Sequence, residues 1–199
     1  MATSMHPTLD ELMPTYEIHR KHTIIITERP ERVYDMLWQV RGSDMPLANV
    51  LGKVRGFGAP EDARADDLPI LRFFTQPGAW TVLVDERPHT LALGLIWKPG
   101  KPVNAEGIHT AADREAFARF DEPGWVKVTW SFQLEPTVSG TRLISESRVQ
   151  GTDPAGSRRF RRVWGWGLIG LGEPLMIHSF LAAVKHRADA LSPEPHLYD

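Results

Sequence analysis

The chain has no cysteine, so any chemistry it performs must start from imidazole, carboxylate, guanidinium or hydroxyl groups. His178 stands one helical turn beyond Pro174, at the border of an apolar stripe. It could act as a general acid or base if a partner lay within hydrogen-bond reach, or serve as a structural or half-exposed side chain. Arg72, set among apolar neighbours, could grip a ligand carboxylate through two parallel hydrogen bonds, or simply face water. These two are the weak catalytic candidates, and no catalytic residue is fixed by the sequence. Glu173, between Gly172 and Pro174, suits the start of a half-helix better than the role of a buried acid. His19 and His22 are oddly spaced in a strand-like segment, so they point to opposite sides and cannot share a metal. His109, Asp113 and Glu115 fall in a loop and could meet a cation.

Several motifs are absent. There is no HExxH, no GxxxxGK[ST] and no GxSxG. The run GWGLIGLGE is rich in glycine but lacks the preceding strand of a dinucleotide fingerprint, and reads as a flexible break in a helix. Lack of cysteine excludes disulfides and thiolate-held metals, and no metal or cofactor is implied. With 199 residues the chain suits one domain that buries its own core. Net charge is −2, which gives no global basic field for nucleic acid. The N-terminal stretch has no basic start followed by an apolar run, so no signal peptide is expected. The most apolar region, 163–184, carries Glu173, Pro174, His178 and four glycines, which argues against a membrane span. A cytoplasmic location is the expectation.

The elements that must position these side chains follow from periodicity. Residues 1–15 read as a loose arm, and 191–199 as a loose tail, around one domain over 16–190. In 16–27, Ile18, Ile24 and Ile26 fall on one parity and His19, Lys21 and Thr23 on the other, which predicts a strand. Pro30 and Glu31 open a helix carrying Val33, Leu37 and Val40, and Arg41-Gly42-Ser43 ends it. A second short helix is expected over 46–54, then a loop over 56–67. Three strands are expected over 70–75, 79–85 and 90–97, then a loop over 98–112 and a short helix over 113–120. In 125–135, Val126, Val128, Trp130, Phe132 and Leu134 share one face, which predicts the clearest strand. Ser139-Gly140 turns the chain into a second long strand over 141–150. Asp153-Pro154 reads as the cap and first residue of a helix with Phe160, Trp164, Leu168 and Leu171 on one stripe. Gly170, Gly172 and Pro174 should break or kink it before a second half bearing Ile177, Phe180, Leu181 and Val184.

A sheet with one apolar face must cover it, and the final helix is the element long enough to do so. A strongly curved sheet gripping one helix closes imperfectly, so an apolar space is expected between them, plugged at one end by the two short helices. Its expected lining is Trp80, Val82, Trp97, Val128, Trp130, Phe132, Phe160, Trp164, Ile177, Phe180 and Leu181, with Ser145 and Ser147 offering hydroxyls. Each ring alone is equally an ordinary core residue. The parity of 141–150 is open, so the two serines face either inward or outward.

This order resembles the START-like (SRPBCC) superfamily, which includes the polyketide cyclase/dehydrase and plant pathogenesis-related groups. The resemblance rests on IIITERPERVYDML, on GWVKVTWSFQLEP…GTRLISESRVQGTDP, and on DPAGSRRFRRVW, across about 16–190. It implies an α+β helix-grip fold, a curved antiparallel sheet wrapped around a long C-terminal helix with two short helices after the first strand. It implies a pocket for a lipid, polyketide or similar apolar molecule and supplies no catalytic residue. The first expectation is therefore a binder or carrier of an apolar ligand, with no nucleic acid partner. A polyketide cyclase or aromatase using the same cavity is the alternative. Arg158, Arg159, Arg161 and Arg162 form a solvated helix face that could also rest weakly on anionic lipid.

Overall fold

The computed structural model describes residues 9–45, 68–102, 106–165 and 168–191, with the backbone alone for 163–173 and 191. Among the described residues, twelve helices and strands carry the fold. They are α1 (Leu9–Leu12), β1 (Ile18–Ile26), α2 (Pro30–Leu37), α3 (Ile70–Phe74), β2 (Thr81–Glu86), β3 (Thr90–Trp97), β4 (Ile108–His109), α4 (Arg114–Arg119), β5 (Val126–Thr137), β6 (Gly140–Gly151), α5 (Pro154–Gly165) and α6 (Leu168–Leu191). A single 3-10 turn, Gly42–Asp44, follows α2.

The six strands make one antiparallel sheet in the order β1-β6-β5-β3-β2, with β4 paired to β3. The long hairpin β5–β6 forms its centre. The pairs Phe132↔Ser145 and Trp130↔Ser147 put both serines on the face that carries the β5 aromatics. In β1 the same face holds Ile18, Arg20, His22, Ile24 and Ile26. Helices α2 and α6 cover this inner face, with Val33, Leu37, Ile177, Phe180 and Val184 fully buried against Leu91, Leu93, Phe132 and Leu143. The architecture is the helix-grip fold, an open curved sheet closed by its C-terminal helix.

The outer face is buried as well, at its centre. Leu83, Val84, Ala92 and Ile96 pack with Phe117 of α4 and with Leu9, Leu12 and Met13. Gly94 is required here, because a Cβ would lie 2.6 Å from Leu83 Cδ1 and 2.7 Å from Phe117 Cε2. Beside this cluster Glu146 and Arg148, both under 10% exposed, form an ion pair of 2.7 Å. Arg148 also donates to Asp10 Oδ1 at 2.7 Å and to the Met13 carbonyl at 2.9 Å, and lies over the Tyr16 ring. Burial opposes its charge, but hydrogen bonds to Asp10 and Glu146 outweigh that and hold its pKa above the usual value. His19 completes the group at 3.1 Å from Glu146.

Four expectations need correction. Residues 70–75 form a helix, α3, where a strand was expected. Apolar Ile70, Leu71 and Phe74 recur at helical spacing, and Pro69 leads into the turn by accepting from Phe73 N. The loop expected over 98–112 contains β4, which pairs with Ile96 and Trp97. The arm expected to be loose is packed from Leu9 to Met13, because spacing of three and four residues puts Leu9, Leu12 and Met13 on one side of a turn over an apolar patch. Helix α6 runs through Pro174 without ending there, since the missing N–H removes one helical bond and the buried residues beyond it anchor the rest. The helix expected over 46–54, the loop over 56–67 and the tail beyond 191 lie outside the described residues.

Two measurements test this packing. Arg148→Met leaves the Glu146 carboxylate buried without its partner, and should cost about 3–5 kcal/mol in urea unfolding. Tyr34 of α2 is buried and donates its hydroxyl to the Asp85 carboxylate of β2; burial first, then that bond, raises its pKa above the usual tyrosine value. The stability this shift contributes is complete below about pH 10 and is lost as pH rises through the folded value. Tyr34→Phe should therefore flatten the alkaline fall of stability measured by urea unfolding between neutral pH and the alkaline limit.

Candidate functional site

Three aromatic rings pack together at the middle of the inner face. Trp130 lies 4.8 Å from Phe132 and 5.3 Å from Phe180 between ring centroids, and Phe132 lies 5.4 Å from Phe180. Such tilted and edge contacts are those of a packed aromatic core. Trp130 Nε1 donates to Ser145 Oγ at 2.9 Å, so that hydroxyl satisfies a buried indole. Ile177 and Leu181 are buried in the same cluster. Ser147 is buried beside them in register. Phe160 belongs to a separate cluster with Val126 and Val149, where α5 covers the far end of the same face and Trp97 and Val128 are partly buried. Trp80 packs on Phe74 at 5.9 Å. Val82, opposite Leu93, is 38% exposed. The Trp164 side chain lies outside the described residues.

The space lies at the edge of this face. A groove of about 490 Å³ opens between β1 and α6, lined by Lys21, His22, Thr23, Ile24, His178, Leu181 and Ala182. It forms there because β1 is an edge strand, with no further strand beyond it. Ile24 and buried Leu181 make its apolar wall, while Lys21, Thr23, His178 and Ala182 are exposed along its rim. The rings of His22 and His178 meet edge to face with centroids 4.5 Å apart. His178 Nδ1 stands 2.7 Å from the Pro174 carbonyl. A carbonyl only accepts, so Nδ1 carries the proton and Nε2 of the neutral ring is an acceptor. This contact depends on both residues lying one turn apart on α6. Chemically, the groove offers an apolar wall, one lysine cation and an imidazole whose tautomer is set by the helix.

Of the two catalytic candidates, His178 lies in the groove and Arg72 does not; Arg72 is exposed on α3. His22, Lys21 and Ile24 were not anticipated as site residues. The alternation of β1 put His22 and Ile24 on one parity, but only the sheet order shows that β1 is the edge facing α6. Asp113 accepts from Ala116 N at 2.7 Å and caps α4, so it does not stand ready for a cation. His109 stacks on Phe120 at 4.5 Å. No group of three or more metal-ligating side chains occurs among the described residues. Arg158, Arg159, Arg161 and Arg162 are all exposed on α5. The side chain of Glu173 lies outside the described residues. No helix among the described residues is long and apolar enough to cross a membrane.

No family model matches the chain, and no curated protein does. Solved structures share its outline. A protein from Mesorhizobium loti is 16% identical over 88% of this chain and 100% of its own, with a TM-score of 0.43. A polyketide-cyclase-like protein from Corynebacterium glutamicum is 14% identical over 94% and 100%, also at 0.43. A conserved protein from Geobacillus kaustophilus is 15% identical over 87% and 96%, at 0.40. The helix-grip fold of this chain stands on its own strand order and on the helix laid across the sheet.

If Ser145 is the acceptor that Trp130 requires, Ser145→Ala should leave a buried indole N–H unpaired. The expected loss is about 1–3 kcal/mol in urea unfolding followed by circular dichroism.

Proposed function

We propose that this protein binds an apolar small molecule at the junction of sheet and C-terminal helix, and that it works as a binder or carrier in the cytoplasm. The groove between β1 and α6 carries this reading. Its volume of about 490 Å³ falls within the range of small-molecule sites, roughly 300–1,000 Å³, and its wall is apolar with a few polar groups at the rim. Ile24 and Leu181 would hold the ligand body, and burying their remaining exposed surface would supply most of the affinity. The residues expected from the sequence to line a central cavity take a supporting part in this proposal. Trp130, Phe132, Ile177 and Phe180 hold α6 at the height that leaves the groove open.

A second reading is favoured by one observation. The bond from His178 Nδ1 to Pro174 leaves Nε2 as a base beside His22, and a cyclase or aromatase acting on a polyketide needs such a base to take a proton next to a carbonyl. In that case His178 carries the proton transfer and the groove supplies orientation.

Native mass spectrometry of freshly purified protein should reveal a retained lipophile. Ala182→Trp fills the groove from its exposed rim, and should weaken binding of the uncharged dye Nile red by about tenfold, or 1.4 kcal/mol, in a fluorescence titration. Unchanged dye affinity would remove the groove from consideration. A substrate whose turnover survives His178→Asn would argue against the cyclase reading.

A further inference from the structure

We infer that the groove selects amphiphiles with a carboxylate head, seated at Lys21 with the chain along Ile24 and Leu181; this rests on the apolar-ligand reading above. The argument is one of charge and placement. Among the described residues that line the groove none is acidic, and Lys21 is the one lysine or arginine. A ligand head at the rim therefore meets one fixed positive charge with no carboxylate among those residues to neutralise it. Thr23, on the same strand face as Lys21 and the opposite parity to Ile24, adds a hydroxyl at the rim. One lysine complements a monoanion better than a phosphate dianion, which sites of this kind hold with several cations or a helix N-terminus. The apolar wall then fixes polarity along the groove. The head stays at the exposed rim beside Lys21, and the hydrocarbon runs against Ile24 and buried Leu181. An alcohol of equal length keeps the apolar contacts and loses the charge-assisted hydrogen bonds, while an ammonium-headed chain meets Lys21 with like charge.

Dodecanoate, dodecanol and dodecyltrimethylammonium, each below its micellar concentration, should be compared by displacement of Nile red from the whole chain. The carboxylate should bind about tenfold more tightly than the alcohol, and the ammonium more weakly still, since a charge-assisted bond contributes about 1.5–3 kcal/mol. The preference should vanish in Lys21→Met and persist in Lys21→Arg, which keeps the charge on an exposed side chain. Equal binding of carboxylate and alcohol would overturn this head-group assignment while leaving an apolar site intact. A carboxylate preference that survives Lys21→Met would also overturn it. Failure of all three chains to displace the dye would instead overturn the apolar-ligand reading itself.

Discussion

The central hairpin is buried on both faces, and the rest of the fold answers that constraint. Strands β5 and β6 lie in the middle of the sheet, so neither parity can be left to water. The inner parity is apolar and aromatic, and it draws α2 and α6 down onto Phe132, Leu134 and Leu143. The outer parity includes Lys127, Glu146 and Arg148, which are polar and still buried. Charges removed from water have to be paired. Arg148 pairs with Glu146 and then reaches past it to Asp10 and the Met13 carbonyl. Lys127 bonds the Phe117 and Ala118 carbonyls at the end of α4, and burial lowers its pKa. The two coverings of the outer face, α4 and the N-terminal segment, are thus tied to the hairpin by the charges they cover.

Much of this was legible from alternation alone. The run VKVTWSFQL allows one strand and one apolar face, because five apolar residues share a parity and the intervening side chains do not. The start of α5 at Pro154 likewise follows from a local rule that the structure obeys. The segment 70–75 failed for a physical reason. Five residues rich in Ile, Leu and Phe satisfy either a buried strand or one helical turn, and only the landing site on the core decides between them. The N-terminal segment failed because its partner, Arg148, is more than a hundred residues away in sequence. No local pattern announces that an arginine in a strand will be buried.

The candidate site was legible only in part, for a related reason. The sequence pointed to sheet, helix and His178, and to a hollow beneath the middle of the helix. Trp130, Phe132 and Phe180 pack together beneath the helix, and the described groove lies at the β1 edge. His22 and His178 are separated by most of the chain and meet because β1, the first long strand, lies beside β6 at the sheet edge. Strand order, which no periodicity encodes, decides that meeting.

The aromatic cluster at the centre and the open groove at the edge belong to one geometry. A twisted sheet turns its strands away from the line of any straight helix that crosses it. Helix α6 keeps Ile177, Phe180 and Val184 seated on the central strands. At the margin Lys21 and Thr23 are exposed and His22 and Ile24 half-buried, and all four line the groove. The same edge therefore combines apolar wall and polar rim in a way that no interior position of the sheet can. The amphiphile proposed above, with one end to bury and one end to hydrate, matches that margin.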